Sequence, residues 1–245
     1  MKAFLLAAGY GTRLRPLTDT IPKCLVPICG VPMLRIWLDL CRRHNISDVL
    51  VNIHSHADVV RDFLRSYNSG ATVQVSEESE LLGSAGTLRA NRDWVQSEST
   101  FFVFYADVLT NANLDEMLGF HRASSQVATL GVYEVPDPGR CGVVNVDEQG
   151  IIRSFVEKPV APESNLAFSG LLVASPELLD FVPLVAPADL GFDVFPRLIG
   201  RMAAYRIRDY LEDIGTLENY YGAQVSWPMA NVCAGRDTHD QGRNF

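Results

Sequence analysis

LLAAGYGTRLRPLTDTIPK, Leu5 to Lys23, runs from a short apolar strand into Gly9, Gly11, Thr12 and Arg13 and closes on Lys23, ten positions after Arg13. Glycines there let backbone amides come close to a polyphosphate, and Arg13 and Lys23 are placed to neutralise the charge that a triphosphate brings. Two commoner phosphate loops do not fit. Leu14 stands where a dinucleotide fingerprint needs its third small residue, and no G-K-[ST] follows for a P-loop. A glycine pair after a strand is by itself a structural turn; the added TRLRPLT and PK set this stretch apart from one. Pro16 hinders a helix starting directly after the glycines.

Around this loop the chain alternates short apolar runs with amphipathic stretches: LLAA, Met33 to His44, VLVNI, Val59 to Tyr67, then TVQV. Such alternation predicts a Rossmann-like α/β fold, a doubly wound mixed sheet, predominantly parallel, with its ligand crevice at the carboxyl ends of the strands. FFVFYAD ends in Asp107, which the sheet argument points into that crevice. A helix over about Leu114 to Ala123 then leads into VATLGVYEV, GVVNVD and IIRSFVEKP, separated by turns at 136–139 and 147–150, which reads as a more antiparallel half. GLLVAS (170–175), helical segments at 176–182 and 192–200, and YRIRDYLEDIG (205–215) complete the pattern. Residues 1–225 read as one domain, and 226–245, which lose apolar periodicity, as a loosely ordered tail.

The 245 residues, 47% hydrophobic and 20% charged, can bury one sizeable core. A net charge of −8 argues against sequence-independent nucleic-acid binding, which depends on clustered cations releasing counterions. Five cysteines, Cys24, Cys29, Cys41, Cys141 and Cys233, form no C-x-x-C pair and suggest neither a disulfide framework nor a zinc site. The apolar run Ala3 to Ala8 is too short for a membrane span and ends in glycines rather than a cleavage site, so no membrane association and a cytoplasmic location are expected. Self-association is left open.

The loop resembles the signature L-x-G-G-x-G-T-R-L-x-P-L-T, followed by P-K, of the sugar nucleotidyltransferase family, with Ala8 in place of one family glycine. The resemblance extends over about Met1 to Gln224, through LGSAG (82–86), Asp107, CGVV (141–144), EKP (157–159) and DIGT (213–216). It implies transfer of a nucleotidyl group from a nucleoside triphosphate to a sugar 1-phosphate, with Mg²⁺ as cofactor and pyrophosphate released. On that resemblance Leu6, Ala8, Gly9, Gly11, Thr12, Arg13 and Lys23 meet the nucleotide together with Gly83, Ser84 and Gly86. Arg13, Lys23 and Asp107 are the catalytic group. Gly142, Glu157, Lys158, Ser169 and Gly170 receive the sugar phosphate, and Asp107 and Asp213 hold the metal.

A magnesium site suits two such aspartates, because Mg²⁺ prefers oxygen ligands and is held by one or two carboxylates plus substrate phosphates. The plainer alternatives are a turn cap at Asp107 and a helix cap at Asp213, with Thr216 as rival cap; Asp209 and Glu212 read as surface charges, although Glu212 competes for a role. LGSAG is similar to the L-G-T-A-G of mannose-1-phosphate and heptose-1-phosphate guanylyltransferases, which implies GTP, with dTTP or UTP as the alternative. Glu77 or Glu78 offers acceptors for guanine's N1 and exocyclic amine. Phe168-Ser169-Gly170 and Cys141 replace the family's usual Asn and Tyr, so heptose or another modified sugar is as plausible as mannose. The five histidines, His44, His54, His56, His121 and His239, fall in none of these motifs. A non-catalytic nucleotide-sugar sensor is the reading of a different class, and retention of all the charged groups argues against it.

Overall fold

The computed structural model describes residues 1–67 and 70–228; of the expected tail only 226–228 fall within them. Its elements in chain order are β1 (Lys2–Leu6), β2 (Pro27–Ile28), β3 (Val31–Pro32), α1 (Met33–Arg43), β4 (Asp48–Ile53), α2 (Ala57–Ser66), β5 (Thr72–Glu77), α3 (Ser84–Ala90), α4 (Arg92–Val95), β6 (Phe101–Tyr105), β7 (Val108–Thr110), α5 (Leu114–Ser124), β8 (Ala128–Glu134), β9 (Gly142–Val146), β10 (Ile152–Glu157), β11 (Leu166–Ala174), β12 (Met202–Arg206), β13 (Leu211–Asp213) and α6 (Leu217–Ser226).

A nine-stranded mixed sheet runs β10-β9-β11-β6-β1-β4-β5, with β8 and then β12 added on β11. Strands β6, β1, β4 and β5 are mutually parallel, whereas β11 is antiparallel to β6, β8 and β9. The chain winds outward from β1 through β4 to β5, then returns to β6 on the other side of β1. The winding therefore reverses between β1 and β6, where an open α/β sheet leaves its ligand crevice. β6 lies between β1 and β11 and is apolar on both faces. Phe102 and Phe104 face the α1 side, where Trp37 stacks on Phe104 at 4.7 Å; Phe101 and Val103 face the other layer, where Phe101 meets Phe4 edge-on at 5.7 Å.

Several boundaries differ from the sequence reading. The strand expected over 170–175 begins at Leu166, because its first half pairs with β8 before a register shift between Phe168 and Leu172. YRIRDYLEDIG is two strands with different partners, β12 on β8 and β13 on β7. The helical segments expected at 176–182 and 192–200 are only short turns, a 3-10 helix at Pro176–Phe181, a π-helical turn at Leu190–Val194 and a 3-10 turn at Phe195–Leu198. β2, β3, β7 and α4, of two to four residues, are too short for any periodicity to announce them. Trp227, expected in the tail, is buried against Tyr210 at 5.1 Å. Among the described residues no helix is long and apolar enough to cross a membrane.

Candidate active site

At the reversal point between β1 and β6 a cleft of about 240 Å³ is lined by Leu6, Ala8, Gly9, Gly11, Lys23, Gly83, Ser84 and Asp107, together with Asn52, Glu78 and Tyr105. The first eight, and Glu78, are residues the sequence singles out. Thr12, Arg13 and Gly86 do not line it. Thr12 and Arg13 form a 3-10 turn beyond Gly11, and Gly86 lies inside α3 against Leu82 and Ala188.

The glycine loop is a set of tight approaches with one open position. Gly11 has φ +65°, and a Cβ there would lie 2.9 Å from the Thr18 methyl and 3.1 Å from Lys23 Cβ, so only glycine fits. Thr18 closes the turn by donating its hydroxyl to the Gly11 carbonyl at 2.7 Å. Gly9 has nothing within 4 Å of such a Cβ, leaving its backbone free for a ligand. The loop's entry is held from outside the motif: Asn52, at the end of β4, accepts the Ala7 amide at 2.7 Å. His54, placed by the sequence in no motif, stands beside this loop, with Nε2 3.0 Å from the Tyr10 hydroxyl and Nδ1 2.8 Å from the Glu78 carbonyl.

Beside the glycine loop a carboxylate and a cation form an ion pair, and a second acid, Asp213, feels the charges of both Lys23 and Arg13. Lys23 donates to Asp107 Oδ2 at 2.5 Å. Asp213 ends β13, which pairs with β7 so that Asp213 sits opposite Val108, one residue after Asp107. Burial first, and then the charge of Asp107, pushes the Asp213 carboxyl up, while Lys23, the Gly215 amide and Arg13 pull it down. The mutual repulsion of the two acids is what a divalent cation relieves, and two carboxylates are the number that Mg²⁺ commonly takes from a protein. Among the described residues no cluster of three or more potential metal ligands exists, so such an ion would draw its remaining oxygens from substrate and water. The capping alternative for Asp213 is corrected: Thr216 caps α6, accepting the Asn219 amide at 3.2 Å, and Asp213 accepts from Gly215 at 2.6 Å. Of its neighbours, Asp209 accepts the Asn113 amide at 3.2 Å, and Glu212 is pushed up by burial and then by Asp213.

The LGSAG loop is built differently from the sequence reading. Gly83 has φ +78°, and a Cβ on it would lie 2.3 Å from the Ala188 carbonyl oxygen. Its glycine is therefore required by a strand of chain packed behind the loop. That segment accepts the Ala85 and Gly86 amides at Ala188 O (3.0 and 3.1 Å) and donates Ala188 N to Leu82 O at 2.9 Å. Ser84, expected on the nucleotide, lines the cleft, donates to Asp189 at 2.8 Å and accepts from Leu190 N at 2.8 Å. Of the two candidate glutamates, Glu77 is spent on Arg61 at the surface, whereas Glu78 is buried at the cleft. One Glu78 oxygen accepts from Asn52 (2.9 Å) and Thr87 (2.5 Å), and the other accepts the Leu82 amide at 3.1 Å, which leaves that second oxygen one lone pair.

On the β9–β10 side, Glu157 and Lys158 project together, with Lys158 Nζ 3.7 Å from Glu157 and 5.6 Å from the centre of the Phe192 ring. A Cβ on Gly142 would lie 2.4 Å from the Phe155 ring and 2.7 Å from the Glu157 carboxylate, so glycine here lets Glu157 lie against β9. Burial and then Asp189 push the Glu157 carboxyl up, against the pull of Lys158. The Cys141 thiol is pushed up by burial, then by Asp213 and Glu157, which sets it beside both acids. Ser169 is not at the cleft: it is 3% exposed, accepts the Leu171 amide at 3.2 Å and packs on Gly131, because the shift in β11 turns it under the sheet. Gly170, at φ +80°, makes room for Tyr105 and Val108. Tyr105, which the sequence reading overlooked, lines the cleft, and its hydroxyl is pushed up by burial and then by Asp189, Glu157 and Asp107, while a hydrogen bond with Ser84 pulls the other way. The only sequence signal for it was a polar-tipped ring two residues before a strand-end aspartate.

The family model described as Nucleotidyl transferase matches residues 2–228. The chain is 32% identical over 232 residues to the mannose-1-phosphate guanyltransferase of Eremothecium gossypii, covering 92% of this chain and 64% of that one. It is 33% identical over 241 residues to the UTP–glucose-1-phosphate uridylyltransferase of Synechocystis, covering 91% and 62%. It thus spans somewhat under two thirds of the length of these curated relatives. Among solved structures, HddC from Yersinia pseudotuberculosis superposes with a TM-score of 0.79 at 25% identity, covering 91% of this chain and 97% of that one.

Proposed function

The chain belongs to the nucleotidyl transferase family, and from that premise we propose that it transfers a nucleotidyl group from a nucleoside triphosphate to a sugar 1-phosphate, releasing pyrophosphate. The observation that carries this reading is the convergence of Arg13, Lys23, Asp107 and Asp213 beside an open glycine loop, with the Glu157–Lys158 pair near enough that Glu157 and Asp107 both act on Tyr105.

The attacking oxygen of a sugar 1-phosphate is already anionic at neutral pH, so the site needs no general base. What opposes reaction is repulsion between two anions, and positioning with charge neutralisation is the remedy for phosphoryl-type transfer. The glycine loop receives the triphosphate along the Gly9 backbone; Lys23 leaves Asp107 to bind it, and Arg13 adds its charge. Lys158 holds the sugar's phosphate, and Glu157 accepts hydrogen bonds from sugar hydroxyls. Asp107, freed of its counterion, and Asp213 would hold Mg²⁺, which supplies charge neutralisation at the phosphates when bound.

GTP is the favoured nucleotide. The similarity of LGSAG to L-G-T-A-G and the guanyltransferase among the relatives support it, and Glu78 keeps one lone pair at the cleft, enough for one N–H of a base. The uridylyltransferase among the relatives is the reason to keep UTP as the second reading. For the sugar, mannose, heptose or a modified sugar fits the Glu157–Lys158 pair. The test is a pyrophosphate-release assay with Mg²⁺, each common triphosphate and a panel of sugar 1-phosphates. Release with GTP and one sugar is expected; release with UTP or dTTP overturns the base assignment; no release with any pair overturns the reaction.

A further inference from the structure

Asp189 lies in no motif and lines no part of the cleft, yet its two carboxylate oxygens serve the cleft's LGSAG loop on one side and the turn that carries Glu157 and Lys158 on the other. Oδ2 accepts the Ser84 hydroxyl at 2.8 Å, at the entry to α3 and the LGSAG loop. Oδ1 accepts the Gly191 and Phe192 amides at 2.8 and 3.2 Å, capping the turn over Leu190–Val194. That turn meets both residues: a Cβ on Gly191 would lie 2.5 Å from the Glu157 carboxylate, and the Phe192 ring stands under Lys158. The link is closed by Leu190, whose amide donates back to Ser84 at 2.8 Å, and by Asp193, which accepts the Asp189 amide at 2.7 Å and keeps the carboxylate in place. Ser84 thus gives its one proton to this joint and takes the Leu190 amide on one of its two lone pairs.

We propose that Asp189 is a positioning residue that fixes the nucleotide-facing loop (82–86) and the sugar-phosphate wall (Glu157 and Lys158) at one separation, so that it governs the binding of both substrates while touching neither; the substrate half of this statement rests on the nucleotidyl-transfer reading above. A carboxylate is suited to the task because its two oxygens accept independently and charge-assisted bonds are the stronger ones. The loop meets the cleft through a glycine held against Ala188, and the β10 wall ends at Lys158, with φ +50°.

Asp189→Asn replaces the acceptor facing Ser84 by an N–H donor while its amide oxygen keeps the Gly191 and Phe192 amides, so Ser84 can no longer donate into the joint and the charge-assisted bond is lost. Ser84→Ala breaks the same joint from the other side. Amide hydrogen exchange on the free protein needs no substrate: in both variants exchange is expected to rise at 82–88 and at 156–158 together, with β1 and β4 unchanged and melting temperature within a few degrees. In kinetics, each variant is expected to raise KM for both substrates about three- to tenfold, the worth of one hydrogen bond, with the double variant no worse than either single. Exchange that rises at only one wall overturns the proposal, as does a change confined to one substrate's KM or a double variant whose effects multiply. If the unaltered protein joins no nucleotide to any sugar phosphate, the functional reading falls, and the exchange experiment still decides whether Asp189 ties the walls.

Discussion

Replacing Lys23 by Met keeps most of the side chain's volume and deletes one charge from a cluster in which Asp107 and Asp213 face Lys23 and Arg13. As an ion pair in the free protein, Lys23 is worth less than in the reaction. Its side chain is 12% exposed and that of Asp107 29% exposed, so solvent screens the attraction only in part, and leaving Asp107 unpaired costs about 1–3 kcal/mol, roughly 2–4 °C in Tm for each kcal/mol in a chain of this size. In the reaction the same charge faces the phosphates, where loss of one preorganised stabiliser costs about 2.7–4 kcal/mol, a fall in turnover of roughly 10²- to 10³-fold. Pyrophosphate release and thermal melts on the same preparations separate the two quantities. The double variant Lys23→Met with Asp107→Asn sharpens the result: it removes the uncompensated acid, so it should recover the melting temperature and leave turnover at least as low. A Lys23→Met protein of near-normal turnover would refute the assignment, as would a turnover loss that the double variant restores along with stability.

Gly83→Ala adds a Cβ at 2.3 Å from Ala188 O on a backbone with φ +78° and ψ 164°, a region that costs a non-glycine residue about 1–3 kcal/mol before the clash is counted; urea titration should show a loss at least that large, and an unchanged midpoint would contradict the packing described. Thr216→Ala removes the α6 cap and should cost about 1 kcal/mol with turnover intact, whereas a large activity loss would mean that the helix start does more than end the Asp213 loop. Glu157 carries a carboxyl raised by burial and by Asp189, so the folded protein holds that proton at a pH where the unfolded chain has released it. Its contribution to stability is therefore present below the ordinary glutamate value and is lost as pH rises through the folded one. Glu157→Gln should be more stable than the unaltered protein at pH 8 and the difference should vanish near pH 4; the opposite slope in chemical denaturation would mean that Lys158 dominates.

Gly11 and Asp107 were legible as cleft residues because each follows a strand at the turn that ends it, so an apolar run, a glycine at a forced φ and a polar residue at the crevice lie within a few positions in the chain. The same local logic makes the βα winding readable and, with it, the point where the sheet reverses. Other features are settled across long separations. Ser84 binds Asp189 105 residues away, the Ala7 amide binds Asn52 45 residues away, and Gly83 is needed because Ala188 packs behind it. A serine, an asparagine or a glycine in a loop has the same local pattern whether it faces a ligand or another stretch of backbone. Which of the two it faces depends on what the fold brings opposite, and that is why Ser169 turned under the sheet while Tyr105 and Asp189, unmarked by any motif, came to stand at and behind the cleft. Backbone periodicity and steric limits act between neighbours in sequence and can be read there; the pairing of polar groups is a property of space, and only the folded chain decided it.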